Sequence, residues 1–293
     1  MDLDETVRAQ LGKAIGEASG ASFTVRSVAA VNGGCINRAC IVADGARRYF
    51  VKTNSSDRLA MFEAEAAGLR ELASVNALRV PQPLHAGVAA NTAFLVLEYL
   101  DLGRPPDAIS LGRGLAALHR ATRTQFGWGR DNTIGATPQI NTASLDWCEF
   151  WRERRLRPQF DRAYRNGHLR LREGEALLDR VSQLLAGHRP APSLLHGDLW
   201  GGNVAGLGDG TPVVFDPAVY YGDREADLAM SELFGGFAPA FYAAYNEAWP
   251  LDAGYERRKH LYNLYHLLNH LNLFGGGYLA GVRSCIARLL ELR

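Results

Sequence analysis

Three residues in this chain have the types and spacing to do chemistry together: Asp198, Asn203 and Asp216. They lie in the run S-L-L-H-G-D-L-W-G-G-N-V-A-G-L-G-D-G-T-P-V-V-F-D, from Ser193 to Asp216. A carboxylate, an amide five positions on, and a second carboxylate beyond a turn signal meet the needs of phosphoryl transfer. That reaction wants a base to orient the attacking hydroxyl and hard oxygen ligands for magnesium. Asp198 suits the first task, and Asn203 with Asp216 the second.

The surrounding residues must position these three. Leu194-Leu195 reads as a short buried strand, and His196-Gly197 turns the chain so that Asp198 sits in a loop. Val204-Ala205 and Val213-Val214-Phe215 are β-prone runs around the turn signal Gly208-Asp209-Gly210. They predict a hairpin with Asn203 before it and Asp216 after it.

Upstream, Phe23 to Val31 and Ile36 to Ala43 read as strands around Asn32-Gly33-Gly34-Cys35. Glycines in such a turn let backbone N–H groups approach phosphate oxygens closely. Gly33, Gly34 and Cys35 are therefore candidates to cover a nucleotide. Lys52 ends the apolar run Y-F-V-K, where a kinase holds its phosphate-binding lysine. A lysine there needs a carboxylate to fix its stem. The helix predicted over 58–74 offers Glu63 and Glu65, on different faces.

H-G-D-L-W-G-G-N-V, followed by D-P-A-V-Y-Y-G-D-R-E-A-D-L-A-M, resembles the fructosamine kinase (ketosamine-3-kinase) family. That family sits within the aminoglycoside phosphotransferase and choline kinase fold group. D-N-T-I-G-A-T-P-Q-I-N and D-W-C-E-F-W-R-E-R-R-L are similar to the same family, so the likeness covers nearly the whole chain. Asn32 and Gly201 depart from residues common in related loops, which leaves the loops' shape open.

The resemblance implies an α+β, bilobal protein-kinase-like fold. A small β-rich N-terminal lobe would span residues 1–97, a hinge 98–103, and a larger, mostly helical C-terminal lobe 104–293. It implies ATP and Mg2+ as cofactors and a ketosamine as acceptor, phosphorylated on its 3-hydroxyl in a deglycation repair. Glu65 then falls in the register of the carboxylate that holds the phosphate-binding lysine. Backbone groups of Glu98, Tyr99 and Leu100 would meet the adenine edge. Trp200 and His270 become candidates to touch the acceptor, and the region 124–141 part of its wall. A kinase for an aminoglycoside or amino alcohol, or a nucleotide-binding pseudokinase, are the alternatives.

Other features are read from composition. Lys and Arg number 32 against 31 acidic residues, so no strong field draws the chain to nucleic acid or a membrane. The arginines between Arg152 and Arg165 then read as a solvated helix face paired with Glu149, Glu153 and Asp161. No apolar run reaches membrane-span length. The four cysteines show no C-x-x-C pair, which suits a reducing, cytoplasmic setting. Either a monomer or a homodimer is compatible. His119 reads as a packed structural histidine, and Tyr255 to Phe274 as a long helix with a leucine stripe.

Overall fold

The computed structural model describes residues 3–31 and 36–292. The candidates Gly33, Gly34 and Cys35 lie outside the described residues. The class is α+β, and the chain divides into two compact units. One holds residues up to Pro106 together with Ala205–Asp216; the other holds Asp107–Val204 and residues from Pro217 on.

The first unit is built on a five-stranded antiparallel sheet. Its strands are β1 (Ser27–Val31), β2 (Arg38–Ala43), β3 (Arg48–Ser55), β4 (Pro83–Ala89) and β5 (Thr92–Glu98), in the order β1-β2-β3-β5-β4. Helix α1 (Glu5–Ser19) begins where the Asp4 carboxylate accepts the Thr6 amide at 2.8 Å, and stops at left-handed Gly20. Its Val7, Leu11 and Ile15 pack on Cys40, Val42, Val51, Phe94 and Val96. Those residues alternate along their strands and so share one sheet face. Lys52, between Val51 and Thr53, points to the other face, where α2 (Leu59–Ser74) lies. The β-prone runs around Gly208–Gly210 pair as strands β9 (Val204–Gly206) and β10 (Pro212–Val214). The hairpin docks through bridges from Val213 to Arg79 and from Gly206 to Arg104.

The second unit is mostly helical. It contains α3 (Ala108–His119), α4 (Trp147–Phe150), α5 (Arg157–Arg165), α6 (Leu171–Leu178), α7 (Val181–Leu184), α8 (Glu225–Leu233), α9 (Pro239–Ala248), α10 (Tyr255–Phe274) and α11 (Leu279–Glu291). Two short antiparallel pairs join them: β6 (Asn132–Ile134) with β7 (Thr137–Gln139), and β8 (Ser193–Leu195) with β11 (Tyr220–Gly222). The leucine stripe of α10, Leu261, Leu264, Leu268 and Leu271, is fully buried. It meets Trp147, Phe150, Trp151, Phe160 and Tyr220 in one core.

A solvated arginine face is only partly what the structure shows. Arg152 and Arg157 do pair with Glu153. Arg155, however, is completely buried. Between α4 and α5 the helix makes a π turn over Trp151–Leu156, which changes the direction each side chain takes. Arg155 donates to the Ile140 carbonyl at 2.5 Å and to Asn141 Oδ1 at 2.7 Å. Its guanidinium lies 4.0 Å from the Tyr220 ring centroid and 4.6 Å from that of Phe150.

Candidate active site

Lys52 is buried in the first unit with two carboxylates on its ammonium. Nζ is 2.5 Å from Glu65 Oε1 and 2.5 Å from Asp216 Oδ1. Burial works against the Lys52 charge, and the Asp216 and Glu65 charges outweigh it, so its pKa is raised and the ammonium kept. Burial also raises the Glu65 carboxyl, with Lys52 pulling against it. Of the two glutamates on α2, Glu65 reaches the lysine, while Glu63 is exposed. Asp216 stands in the left-handed region at φ 57°, two residues beyond β10, with its side chain about half exposed. Asp is among the few residues with a side chain that tolerates this conformation.

Glu98 closes β5. Its amide donates to the Gln82 carbonyl at 2.8 Å, and its carboxylate pairs with Arg79. An adenine edge would therefore have to use the Glu98 carbonyl and the backbone of Tyr99 and Leu100. The Tyr99 ring is covered by the Arg48 guanidinium, 4.2 Å from its centroid.

In the second unit the loop after β8 carries Asp198 and Asn203. Asn203 Nδ2 donates to the Asp198 carbonyl at 2.8 Å and to Asp198 Oδ2 at 3.1 Å. The amide thus orients the carboxylate and turns its own carbonyl oxygen elsewhere. The loop is gripped from behind by Asp227 on α8, which accepts the amides of His196 at 2.7 Å and Gly197 at 2.8 Å. Fully buried His119 bridges Asp227, at 3.2 Å, and the Tyr245 hydroxyl, at 2.9 Å. Gly197 has φ +82°, and a Cβ there would come within 2.0 Å of the Ala218 carbonyl oxygen. Only glycine lets the two backbones approach this closely.

The region 124–141, expected as acceptor wall, buries much of its polar chemistry. Gln139 Nε2 donates to Asn132 Oδ1 and to the Ala218 carbonyl, and Asn132 Nδ2 donates to the Val219 carbonyl at 2.8 Å. Asn141 Nδ2 donates to Asn132 Oδ1, and the Tyr265 hydroxyl to Gln139 Oε1. This closed amide network fixes the backbone just after Asp216-Pro217. Its signal in sequence was the set of amides in D-N-T-I-G-A-T-P-Q-I-N, which reads equally well as a polar loop.

Trp200 is 37% exposed, and its ring lies against the backbone of Gly202, where a Cβ would come within 2.4 Å of it. It meets Phe234 edge-on at 6.2 Å, and Phe234 meets His270 at 4.6 Å. His270 Nδ1 donates to the His266 carbonyl at 2.8 Å. Burial lowers the pKa of both histidines, that of His266 to about 3, so both rings are neutral at pH 7. Phe234 was not anticipated; a lone aromatic at the end of a helix carries no signal in sequence.

Two other clusters in this unit are already satisfied. His188, Glu225 and Asp252 bring ligand atoms within 4.8 Å of one another, but Arg258 donates to both carboxylates there. A cavity of about 880 Å³ is lined by Glu232, Tyr242, Tyr245 and Tyr255. Their polar atoms bond one another and their neighbours: Tyr255 donates to Glu232 at 2.5 Å, and Arg224 donates to the Tyr245 hydroxyl at 3.1 Å. Among the described residues no helix is long and apolar enough to cross a membrane. Cys40, Cys148 and Cys285 are free thiols.

Comparison with known proteins shows the family and the fold. The fructosamine kinase family model matches residues 7–292. A probable ketoamine kinase of Synechocystis is 45% identical over 96% of each chain. The chloroplastic protein-ribulosamine 3-kinase of Arabidopsis thaliana is 43% identical over 93% of this chain and 85% of its own. A solved Haemophilus somnus protein assigned as a fructosamine-3-kinase superposes with a TM-score of 0.91 at 30% identity, covering 97% of this chain and all of that one. Aminoglycoside phosphotransferase structures, 17–18% identical with TM-scores of 0.60–0.63, share the fold. The chain belongs to the fructosamine kinase family.

Proposed function

We propose that this protein is an ATP-dependent kinase that phosphorylates the 3-hydroxyl of ketosamines, the sugar adducts of amines and protein lysines. The observation that carries the reading is the Lys52 ammonium clamped between Glu65 and Asp216, in a chain whose loop also pairs Asn203 with Asp198. A buried cluster of one ammonium and two carboxylates stabilises a fold poorly, and such perturbed groups gather at functional sites. Names borne by the relatives, ketoamine kinase and protein-ribulosamine 3-kinase, supply the acceptor class.

Each residue has a definite task. Lys52, steadied by Glu65, binds phosphate oxygens of ATP. Asp198 accepts a hydrogen bond from the acceptor hydroxyl and aligns it for in-line attack. Asn203 keeps Asp198 in place through Nδ2. Magnesium, when bound, neutralises charge on the phosphates. The donors suit it: Asn203 gives its N–H groups to Asp198, which leaves Oδ1, and Asp216 has a second oxygen beyond the one on Lys52. Trp200 offers a flat apolar face to the C–H side of the sugar. With phosphate on the 3-hydroxyl, enolisation of the ketone toward C1 expels inorganic phosphate, and water hydrolyses the resulting imine to the free amine and a deoxy dicarbonyl, so the adduct is removed from the amine.

The test is ADP formation with ribulosamine and fructosamine adducts of lysine, using glucose and kanamycin as controls. Turnover on the adducts alone is expected. Turnover on kanamycin without turnover on any adduct would overturn the acceptor class.

A further inference from the structure

Trp200 begins a continuous shelf of rings that is larger than a sugar needs. From Trp200 the contacts run to Phe234, then to His270, and from His270 to Phe274 at 5.6 Å and Tyr278 at 5.1 Å. Phe274 ends α10 and is 49% exposed. Gly275, at φ +86°, breaks the helix, and Tyr278 then contacts both His270 and Phe274. A furanose or pyranose is no larger than the indole of Trp200, so four rings remain beyond it.

We propose that the rings from Phe234 to Tyr278 form the subsite for the amine-bearing half of the acceptor, favouring adducts of amines with extended aliphatic or aromatic stems. This rests on the ketosamine kinase reading. The linking nitrogen of a ketosamine is a secondary ammonium followed by whatever stem the amine carried. Aromatic faces attract such a cation and cover an apolar stem.

His270 adds the polar handle. Because its Nδ1 donates to the His266 carbonyl, the neutral ring carries its lone pair on Nε2. That nitrogen can accept from an ammonium N–H, and the ring brings no positive charge to repel it. The lysine side chain of a glycated protein has this chemistry: a cation, then four methylenes, then a peptide backbone in solvent. A series of ring contacts from Trp200 to a half-exposed phenyl ring suits an acceptor of that shape.

The test compares ketosamines that share one sugar and differ in the amine: methylamine, benzylamine and Nα-acetyl-lysine. The wild type should show a KM about tenfold lower for the two long adducts than for the methylamine one, the worth of roughly two buried methylenes. Phe274→Ala and Tyr278→Ala should each cut that preference to below about threefold, and Phe274→Leu should restore part of it. Equal KM values in the wild type, or a loss in Phe274→Ala that is the same for all three adducts, would overturn the subsite. Calorimetric titration of the same adducts without ATP repeats the comparison without turnover. A binding preference with no phosphorylation would sink the kinase reading and support the subsite. Phosphorylation with no preference would do the reverse.

Discussion

The carboxylate of Asp227 accepts the amide of His196 at 2.7 Å from 31 residues away, and it is the anchor of the loop that carries Asp198. Burial alone would raise this carboxyl. The His119 and His196 rings and the Gly197 amide outweigh burial and hold it below its ordinary 3.8. A depressed folded pKa contributes stability that is fully present above 3.8 and drains away as pH falls through the lower folded value. Asp227→Ala should cost about 3–5 kcal/mol, with Asp227→Asn costing less. Urea midpoints between about pH 5 and about pH 3 should fall more steeply for the wild type than for Asp227→Asn. Parallel curves would contradict this.

Removal of the Lys52 ammonium should be felt in the use of ATP. Lys52→Met is expected to lower kcat/KM for ATP by roughly 10²–10³. Glu65→Gln leaves the lysine its Asp216 partner and should cost less, about 10- to 100-fold. Steady-state kinetics with ATP varied at saturating acceptor would show the order; a near-normal Lys52→Met would refute the assignment.

Asp198→Ala should reduce turnover by roughly 10²–10⁴ while nucleotide binding is kept. Calorimetry with a non-hydrolysable ATP analogue separates the two. Loss of nucleotide binding together with turnover would mean that Asp198 shapes the loop instead of aligning the acceptor.

Arg155 should resist conservative replacement. Lysine cannot supply the planar fork that serves the Ile140 carbonyl and Asn141 Oδ1 together. Both Arg155→Lys and Arg155→Met should lose about 1–3 kcal/mol for each buried acceptor left without a donor, read from urea denaturation. An unchanged midpoint for Arg155→Lys would show that a single ammonium suffices.

Local pattern was enough to read much of this molecule. The leucine stripe marked α10, and the end of the apolar run Y-F-V-K marked Lys52. Helix geometry set Glu63 and Glu65 on different faces, and the family register chose between them. Strand β4 was not legible because it opens with Pro83 and contains Gly87; it is tolerated because it lies at the sheet edge. The short pair β6–β7 was hidden too, since buried amides hold it where apolar alternation would normally announce a strand. The ring shelf joins residues from the loop after β8, the end of α8 and both sides of Gly275, and nothing in one stretch foretells such an assembly.

The π turn at Trp151–Leu156 has one more consequence. At about 100° per residue, an unbroken α-helix would set Leu156 about 180° around from Trp147. Phe160 and Ala163 would follow Leu156 to that opposite side, yet all of them share one core with Trp147, Phe150 and Trp151. The widened turn is a phase correction that lets two out-of-step halves of a helix look inward together. Deleting a single residue there would let the turn close to a regular α-helix, with Leu156 about 80° around from Trp147, and both halves would still face inward.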